Sequence, residues 1–269
     1  MTTSQIIKGP SSDGIERLSA RFQGFSFSPH RHDTYAIGIT TDGVQAFTYR
    51  GVAQQSVRGQ AFVLHPDERH DGRAGDARGF AYTIAYLDPA LILSASQGKG
   101  LPFLSEPVTR DRQLYAAVCA ILRAADEPMG LATTCAIAAL SDALWRAAGS
   151  TPRPNLSLDL KALRAAREAL MTSVASKVCI AELERIAGMS RWQLARQFRR
   201  AYGVSPTRFH LLRRLGHARS LLRGGQSLAE ISDICGFADQ AHLSRMFKAA
   251  FGTSPGQWRA LAGRYAASR

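Results

Sequence analysis

Residues 231–248 of the chain read ISDICGFADQAHLSRMFK. Ile231 and Ile234 are spaced as one face of a helix, and Gly236 interrupts that helix. Asp239 is a capping residue, which predicts that a second helix begins directly after it. The stretch therefore predicts two helices joined by a tight turn.

The same pattern stands once more, 49 residues earlier in the chain. Leu194, Arg196, Phe198, Gly203, Ser205 and Pro206 recur as Leu243, Arg245, Phe247, Gly252, Ser254 and Pro255. In the first unit a helix over 180–187 ends at Gly188, and Ser190 caps the next helix. The second unit begins at the capping box of Ser227 and Glu230. We therefore predict two helix-turn-helix units, over about 180–202 and 227–251.

A serine-proline pair follows each unit. Proline is favoured at the first position of a helix because its missing N–H has no partner there in any case. Pro206 and Pro255 therefore predict two further helices, the first of them over 206–223 and rigid enough to hold the two units apart. The arginines of that helix are expected to contact phosphates or to stabilise the fold: Arg208, Arg213, Arg214, Arg219 and Arg223.

The longer helix of each unit has one apolar face and one cationic face. In a helix-turn-helix protein the second helix enters the major groove, where arginine can pair with guanine and glutamine with adenine. A solvated face on an ordinary bundle would explain the arginines, but it would not explain an outward Trp192. The predicted DNA-binding residues are Arg191, Trp192, Gln193, Ala195, Arg196, Arg199, Gln240, Ala241, His242, Ser244, Arg245 and Lys248.

The charge of the chain supports a polyanionic partner. The formal net charge is +13, and residues 1–150 contribute none of it, with 14 Lys and Arg against 14 Asp and Glu. Residues 151–269 have 20 Lys and Arg against 7 Asp and Glu. Clustered cations gain affinity for nucleic acid by releasing condensed counterions. Charge alone would also fit a basic surface that only aids solubility.

Residues 231–248, continued by FGTSP at 251–255, closely resemble the signature of AraC/XylS-type transcriptional regulators. The resemblance covers about residues 158–261 and implies a DNA-binding domain with two helix-turn-helix units. It implies base contacts by Trp192, Ala195, Arg196, Gln240, Ala241, Ser244 and Arg245. Ser232 stands where alanine is usual, and Ala195 is too short to form a hydrogen bond with a base.

The first half has the pattern of an antiparallel β domain. Strands are predicted over 35–40 and 44–50, joined as a hairpin by Asp42–Gly43, and over 60–65 and 80–87. Arg58–Gly59 and Pro66–Asp67 mark turns, and helices are predicted over 111–125 and 131–148.

The order of strands and then helices resembles the cupin-like sensor half of the same family. We therefore predict a multidomain fold with a cupin-like antiparallel β-barrel, two following helices and an all-α end. The domains are 1–150, for effector sensing and dimerisation, and 158–269, for DNA binding. A linker is expected at 151–157, because residues 149–155, GSTPRPN, concentrate turn and helix-breaking residues.

Four of the seven histidines lie in the first half, and residues 29–35 and 59–70 resemble degenerate cupin motifs. A metal-binding cupin would have a glutamate shortly after His32, where this chain has Tyr35 and Ala36, so the metal set is incomplete. We predict that His30, His32, Tyr35 and His70 line a pocket for a small organic ligand, with no metal and no cofactor. Histidines that only bond to their own loops remain an alternative.

Composition and motifs exclude several classes of protein. Hydrophobic residues make up 45% of the 269, enough for two cores. No apolar run approaches the roughly 20 residues that span a bilayer, and the polar start is unlike a secretory signal, so we expect a cytoplasmic protein with no membrane partner. Glycine loops for phosphate and hydrolase motifs are missing, so no catalytic residue is expected. The cysteines are isolated and expected to be reduced: Cys119, Cys135, Cys179 and Cys235.

The sequence thus predicts a DNA-binding transcriptional regulator, with the resemblance favouring an activator, controlled by a small organic effector. Its expected partners are double-stranded DNA, the effector, RNA polymerase and a second copy of the chain. Two alternatives stay open. One is a metal-dependent cupin enzyme carried on a DNA-binding domain, and the other is a regulator without an effector.

Overall fold

The first half of the chain is an antiparallel β domain, as the sequence predicts. A computed structural model describes residues 4–12, 14–124, 130–149, 158–172 and 178–263. The strands are β1 (Gln5–Ser12), β2 (Ile15–Phe22), β3 (Ser26–His30), β4 (Tyr35–Tyr49), β5 (Val52–Val57), β6 (Ala61–Leu64), β7 (His70–Ala74), β8 (Phe80–Leu87) and β9 (Val108–Thr109). Their order is β1-β2-β8-β4-β6-β9, with β5 and β7 paired to β4 and β3 paired to β7.

Strand β4 runs through the point at which the sequence predicts a hairpin, so the predicted reversal at Asp42–Gly43 is wrong. Strand β8 pairs with β4 from Tyr35 to Thr40 and again at Asp42 and Gly43, with a register shift between Thr40 and Asp42. Gly43 has a φ of 64°, and a Cβ on it would collide with the carbonyl oxygen of Gly79. The glycine therefore permits a bulge and a close approach of two backbones, and the chain does not turn back.

The reversal takes place at Arg50–Gly51. Both residues have positive φ, 53° and 86°, as the two-residue turns that join antiparallel strands require. Strand β5 then pairs with the second part of β4, from Val44 opposite Val57 to Tyr49 opposite Val52. The other predicted strands are confirmed as β6 and β8.

Side chains alternate in direction along the strands, so the sheet of the β domain has two different faces. Tyr35, Ile37 and Ala85 are buried against α2 (Arg112–Ala124) and α3 (Leu131–Ala147), the two predicted helices. Their neighbours Ala36 and Ile84 face the opposite way, into a core that is shared with the second half of the chain. A short helix, α1 (Pro89–Ala95), follows β8.

The second half is all helical, and both predicted helix-turn-helix units are present. The helices are α4 (Leu160–Thr172), α5 (Ile180–Ala187), α6 (Arg191–Tyr202), α7 (Pro206–Leu221), α8 (Leu228–Ile234), α9 (Gln240–Phe251) and α10 (Pro255–Gly263). Their apolar faces meet in one core that includes Leu194 and Phe198 of α6 and Leu243 and Phe247 of α9. The predicted linker at 151–157 lies outside the described residues. In the described ranges no helix combines the length and the apolar character needed to cross a membrane.

Candidate functional site

Helix α6, the second helix of the first unit, begins at a capping box. The backbone N–H of Gln193 donates to Ser190 Oγ at 3.4 Å, and the Ser190 N–H donates to Gln193 Oε1 at 3.2 Å. Gln193 was predicted to read a base, but its side-chain oxygen is engaged in the cap. The structure therefore gives Gln193 a part in starting the helix.

The outward face of α6 carries the aromatic and cationic residues that the sequence predicts. Trp192 is 74% exposed, and the guanidinium of Arg191 lies 5.0 Å from the centre of its ring. Arg196 is exposed and Ala195 is half-buried. Arg199 is also exposed, but it reaches the first half of the chain, where it pairs with Asp67 at 3.2 Å.

Helix α9 presents the corresponding face in the second unit. Gln240, Ala241, Arg245 and Lys248 are exposed, and Ser244 is half-buried. Asp239 Oδ1 accepts from the backbone N–H of His242 at 2.6 Å, which fixes the start of the helix.

The His242 ring is held by contacts within the protein. It lies 5.5 Å from the ring of Phe237, and its Nδ1 accepts from the Ala238 N–H at 3.4 Å. The first turn therefore holds this side chain.

Helix α7 uses its arginines within the protein. Arg214 donates to the carbonyl oxygens of Cys235 and Gly236, in the turn of the second unit. Arg213 pairs with Asp33 and Arg219 pairs with Glu16, both carboxylates of the first half. These residues stabilise the fold, as the sequence analysis expected.

The two recognition helices, α6 and α9, both end against the first half of the chain. Gly203 ends α6 and Gly252 ends α9, and both have left-handed backbone angles, with φ of 79° and 71°. A Cβ on Gly203 would collide with Pro66, and one on Gly252 would lie 2.7 Å from His30 Nδ1 and 2.8 Å from the Ser28 oxygen. The Gly252 oxygen also accepts from the Ser28 N–H at 2.9 Å. The repeat thus places a glycine at the C-terminal end of each of these two helices, where the first half packs closely against it.

A cavity of about 740 Å³ lies between the two halves, and it is the candidate effector site. The first half contributes the inner face of the sheet, with Ala36, Phe62 and Ile84 among its residues. The second half contributes α7, α10 and the C-terminal ends of α4 and α9. The lining residues from the second half are Met171, Leu212, Arg213, Gly216, His217, Arg219, Ala250, Phe251 and Trp258.

Three of the predicted ligand-binding residues meet in this cavity. The ring centres of His30 and His70 are 4.3 Å apart, and those of His32 and His70 are 4.8 Å apart. Each Nδ1 lies beside a backbone carbonyl two residues away in the sequence, at 2.8 Å for His30 and 2.9 Å for His32 and His70. Since a carbonyl only accepts, each Nδ1 carries the proton and each Nε2 of the neutral ring is an acceptor.

The environment keeps these histidines uncharged at neutral pH. Burial lowers the pKa of His32 to about 3, with a smaller effect from nearby His30. Burial also lowers the pKa of His30 and, by a wide margin, that of His70. Nε2 of His32 is fully buried and has no hydrogen-bond partner among the described residues.

Tyr35, the fourth predicted ligand-binding residue, does not line this cavity. Its neighbour Ala36 does, and because side chains alternate along a strand, Tyr35 points to the other face of β4. There it is completely buried, its hydroxyl donates to the Pro102 oxygen at 2.8 Å, and burial raises its pKa. His65 likewise lies elsewhere, with Nδ1 2.8 Å from the Tyr49 hydroxyl and Nε2 accepting from the Leu104 N–H at 3.0 Å.

No group of three or more His, Cys, Asp or Glu residues in the described ranges is arranged to hold a metal ion. The second wall of the cavity, to which α7 and α10 contribute Arg213, Arg219 and Trp258, is not predicted from the sequence. These residues lie 140 or more positions from the histidines, and no local pattern links the two segments.

Comparison with known proteins agrees with both halves. The family model of the AraC-like ligand binding domain matches residues 14–162, and that of a helix-turn-helix domain matches residues 183–261. YbfI of Bacillus subtilis, an uncharacterized HTH-type transcriptional regulator, is 25% identical over 236 residues, which are 83% of this chain and 84% of that protein. The HTH-type transcriptional activator RhaS of Klebsiella pneumoniae is 35% identical over 82 residues, 30% of each chain.

Among solved structures, ToxT from Vibrio cholerae has the same fold. One ToxT structure aligns with a TM-score of 0.65 at 12% identity and covers 93% of this chain and 99% of ToxT. Another, with an unsaturated fatty acid bound, aligns with a TM-score of 0.61 at 14% identity and covers 97% and 96%. Because the ligand-binding family model spans more than half of the sequence and the helix-turn-helix model follows it, this chain belongs to the AraC family of DNA-binding transcriptional regulators.

Proposed function

We propose that α6 and α9 read the DNA sequence and that a small organic effector in the cavity between the halves controls this binding. The observation that carries the proposal is the position of His30. It lines the cavity, and it also lies directly against Gly252, the last residue of the α9 cap. A molecule that displaces His30 therefore acts on the end of a recognition helix.

An effector can change DNA binding only if it binds two arrangements of the protein with different affinity. Two such arrangements would differ in the contacts between the halves. They include the ion pairs of Arg213 with Asp33 and of Arg219 with Glu16, which border the cavity, and the pair of Arg167 with Asp88. A bound molecule contacts both sides of this interface and so strengthens or loosens it.

Further features of the proposal follow from the family and the relatives. The match to RhaS, a transcriptional activator, supports activation, which would require contact with RNA polymerase. We also propose that the domains are 1–150 and 158–269 with a linker at 151–157, that the chain forms homodimers, that it acts in the cytoplasm and that it is not an enzyme. ToxT structures with a fatty acid and with a naphthalenyl butenoic acid support a small organic effector.

The test blocks the cavity from the α7 side. Gly216 lines the cavity, and a Cβ added to it would meet no atom within 4 Å, so Gly216→Phe places a ring in the space. Specific DNA is first isolated by genomic pull-down with the purified chain, and its affinity is then measured by fluorescence anisotropy across a metabolite panel. We expect Gly216→Phe to bind this DNA but to lose the effector response.

The matched control is Gly256→Phe, since Gly256 is an exposed glycine of α10 that also has open space around it. This variant should respond as the unaltered protein does. A response that survives in Gly216→Phe would place the effector elsewhere, and the absence of any response across the panel would support a regulator without an effector.

A further inference from the structure

We infer that the cavity selects an apolar molecule with a hydrogen-bond donor group, such as a hydroxyl or an amine, and that it discriminates against carboxylates. This inference rests on the proposed function and specifies the chemistry of its effector. It stands on the polar groups that the cavity walls leave available and on those that are already paired.

The first observation is the set of acceptors on one wall. His30, His32 and His70 each donate Nδ1–H to a backbone carbonyl, which leaves each Nε2 lone pair for another donor. Nε2 of His32 is buried without a partner among the described residues. A buried acceptor is costly to leave without a donor, so a ligand that brings a donor gains the free energy of that hydrogen bond. The low pKa of these histidines keeps them acceptors at neutral pH.

The second observation is that both cationic groups already have carboxylate partners. Two arginines line the cavity, and each is paired with a carboxylate of the opposite half, Arg213 with Asp33 and Arg219 with Glu16. Asp71 and Asp88 also line the cavity, and each has a cationic partner of its own, Arg73 for Asp71 at 3.6 Å and Arg167 for Asp88. A ligand carboxylate would therefore have to displace an existing carboxylate from its arginine. Arg213 Nε and Trp258 Nε1 are buried donors of the lining without a hydrogen-bond partner among the described residues, so a group that both donates and accepts, as a hydroxyl does, suits these walls.

The third observation is the apolar remainder of the lining. Phe27, Phe62, Phe251 and Trp258 contribute aromatic surface, and the inner strands contribute aliphatic surface. Such walls bind a hydrocarbon or aromatic body, while the histidines orient its polar end. The combination fits an alkylphenol, an alcohol or a related amphiphile, and it differs from the acids bound in the ToxT structures.

The test compares three probes that share one carbon skeleton: para-pentylphenol, para-pentylanisole and para-pentylbenzoate. The phenol donates a hydrogen bond, its methyl ether does not, and the benzoate carries a negative charge. Titration calorimetry with the full chain at neutral pH should give a Kd for the phenol about tenfold lower than for either other probe, since one hydrogen bond to a buried acceptor is of that order. In His32→Phe the phenol and the anisole should bind within about twofold of each other, and the anisole affinity should be retained.

Each result has a definite meaning. A benzoate that binds most tightly, or a phenol that binds no better than the anisole, overturns the donor inference while the cavity remains an effector site. A phenol preference that persists in His32→Phe overturns the assignment to His32. Failure of all three probes to bind overturns this inference, whereas the proposed effector site is decided separately by the response of Gly216→Phe. The comparison in the unaltered protein decides the chemistry even if His32→Phe does not fold.

Discussion

The docking of the recognition helices on the first half can be tested at Gly252. Substitution by alanine has two costs here. Alanine in the left-handed region costs about 1 to 2 kcal/mol, and the new Cβ would lie 2.7 Å from His30 Nδ1 and 2.8 Å from the Ser28 oxygen. Relieving an overpacked contact of this kind costs about 1 to 3 kcal/mol more. We therefore expect Gly252→Ala to lower the free energy of unfolding by about 2 to 5 kcal/mol.

Gly188 provides a matched control within the same chain. It also ends a helix, with a φ of 61°, but a Cβ on it would meet nothing within 4 Å. Gly188→Ala should therefore cost only the backbone term, about 1 to 2 kcal/mol. The difference between the two variants isolates the contact between the halves.

The free energy of unfolding of the full chain is measured by urea denaturation. The variants are compared with the same slope for its dependence on urea concentration. The anisotropy of specific DNA is measured in parallel, because a strained contact at His30 should also change DNA affinity or its effector dependence. Equal losses of stability in Gly252→Ala and Gly188→Ala, with unchanged DNA binding, would show that the first half does not restrain α9.

Three further predictions concern the DNA surface, the histidines and the ion pairs. Arg196→Ala and Arg245→Ala should each cost about 1 to 3 kcal/mol on specific DNA and much less on random DNA in anisotropy titrations, whereas equal losses would make them phosphate contacts. Because the pKa of buried His32 is about 3 in the folded chain and about 6.5 in the unfolded chain, the unfolded chain binds more protons between these values. His32 therefore has almost no effect on the pH dependence of stability above pH 6.5, and it lowers the free energy of unfolding as the pH falls, by about 2 kcal/mol at pH 5. Urea denaturation of the protein and of His32→Phe at neutral pH and at pH 5 checks this. The same pH dependence in both proteins would contradict it. Arg213→Met leaves the carboxylate of Asp33 buried without its partner and should lower the free energy of unfolding by about 3 to 5 kcal/mol. Adding Asp33→Leu to the same chain should restore most of this loss. Additive losses in this double-mutant cycle would argue against a coupled pair.

The helix-turn-helix units could be predicted from the sequence because their signals are local. Ser190 and Asp239 cap the helices at the predicted positions, and Pro206 begins the next one. Caps and turns depend on residues within one helical turn of each other, so a single sequence contains the information. The exposure of Trp192 followed from the same periodicity.

The β domain was harder to predict because register is set by distant strands. Asp42–Gly43 has the composition of a hairpin turn, yet the pairing of β8 across this point makes it a bulge. Tyr35 and Ala36 are adjacent, and only the partners of β4 determine which of them faces the cavity, since a shift of one residue exchanges the two faces. The three histidines were predicted together from two segments that resemble cupin motifs, and the pairing of β3 with β7 places His30 opposite His70, whereas Tyr35 was assigned to the wrong face.

The two helix-turn-helix units have the same design, but the first half of the chain contacts them differently. Gly203 and Gly252 occupy the same position in each unit, and the first half contacts both. Gly203 packs on Pro66, and both line a second cavity to which the two halves contribute. Gly252 packs on His30, which lines the proposed effector cavity. The cavity is therefore coupled directly to α9 and only indirectly to α6, so two units of the same design can respond differently to one effector.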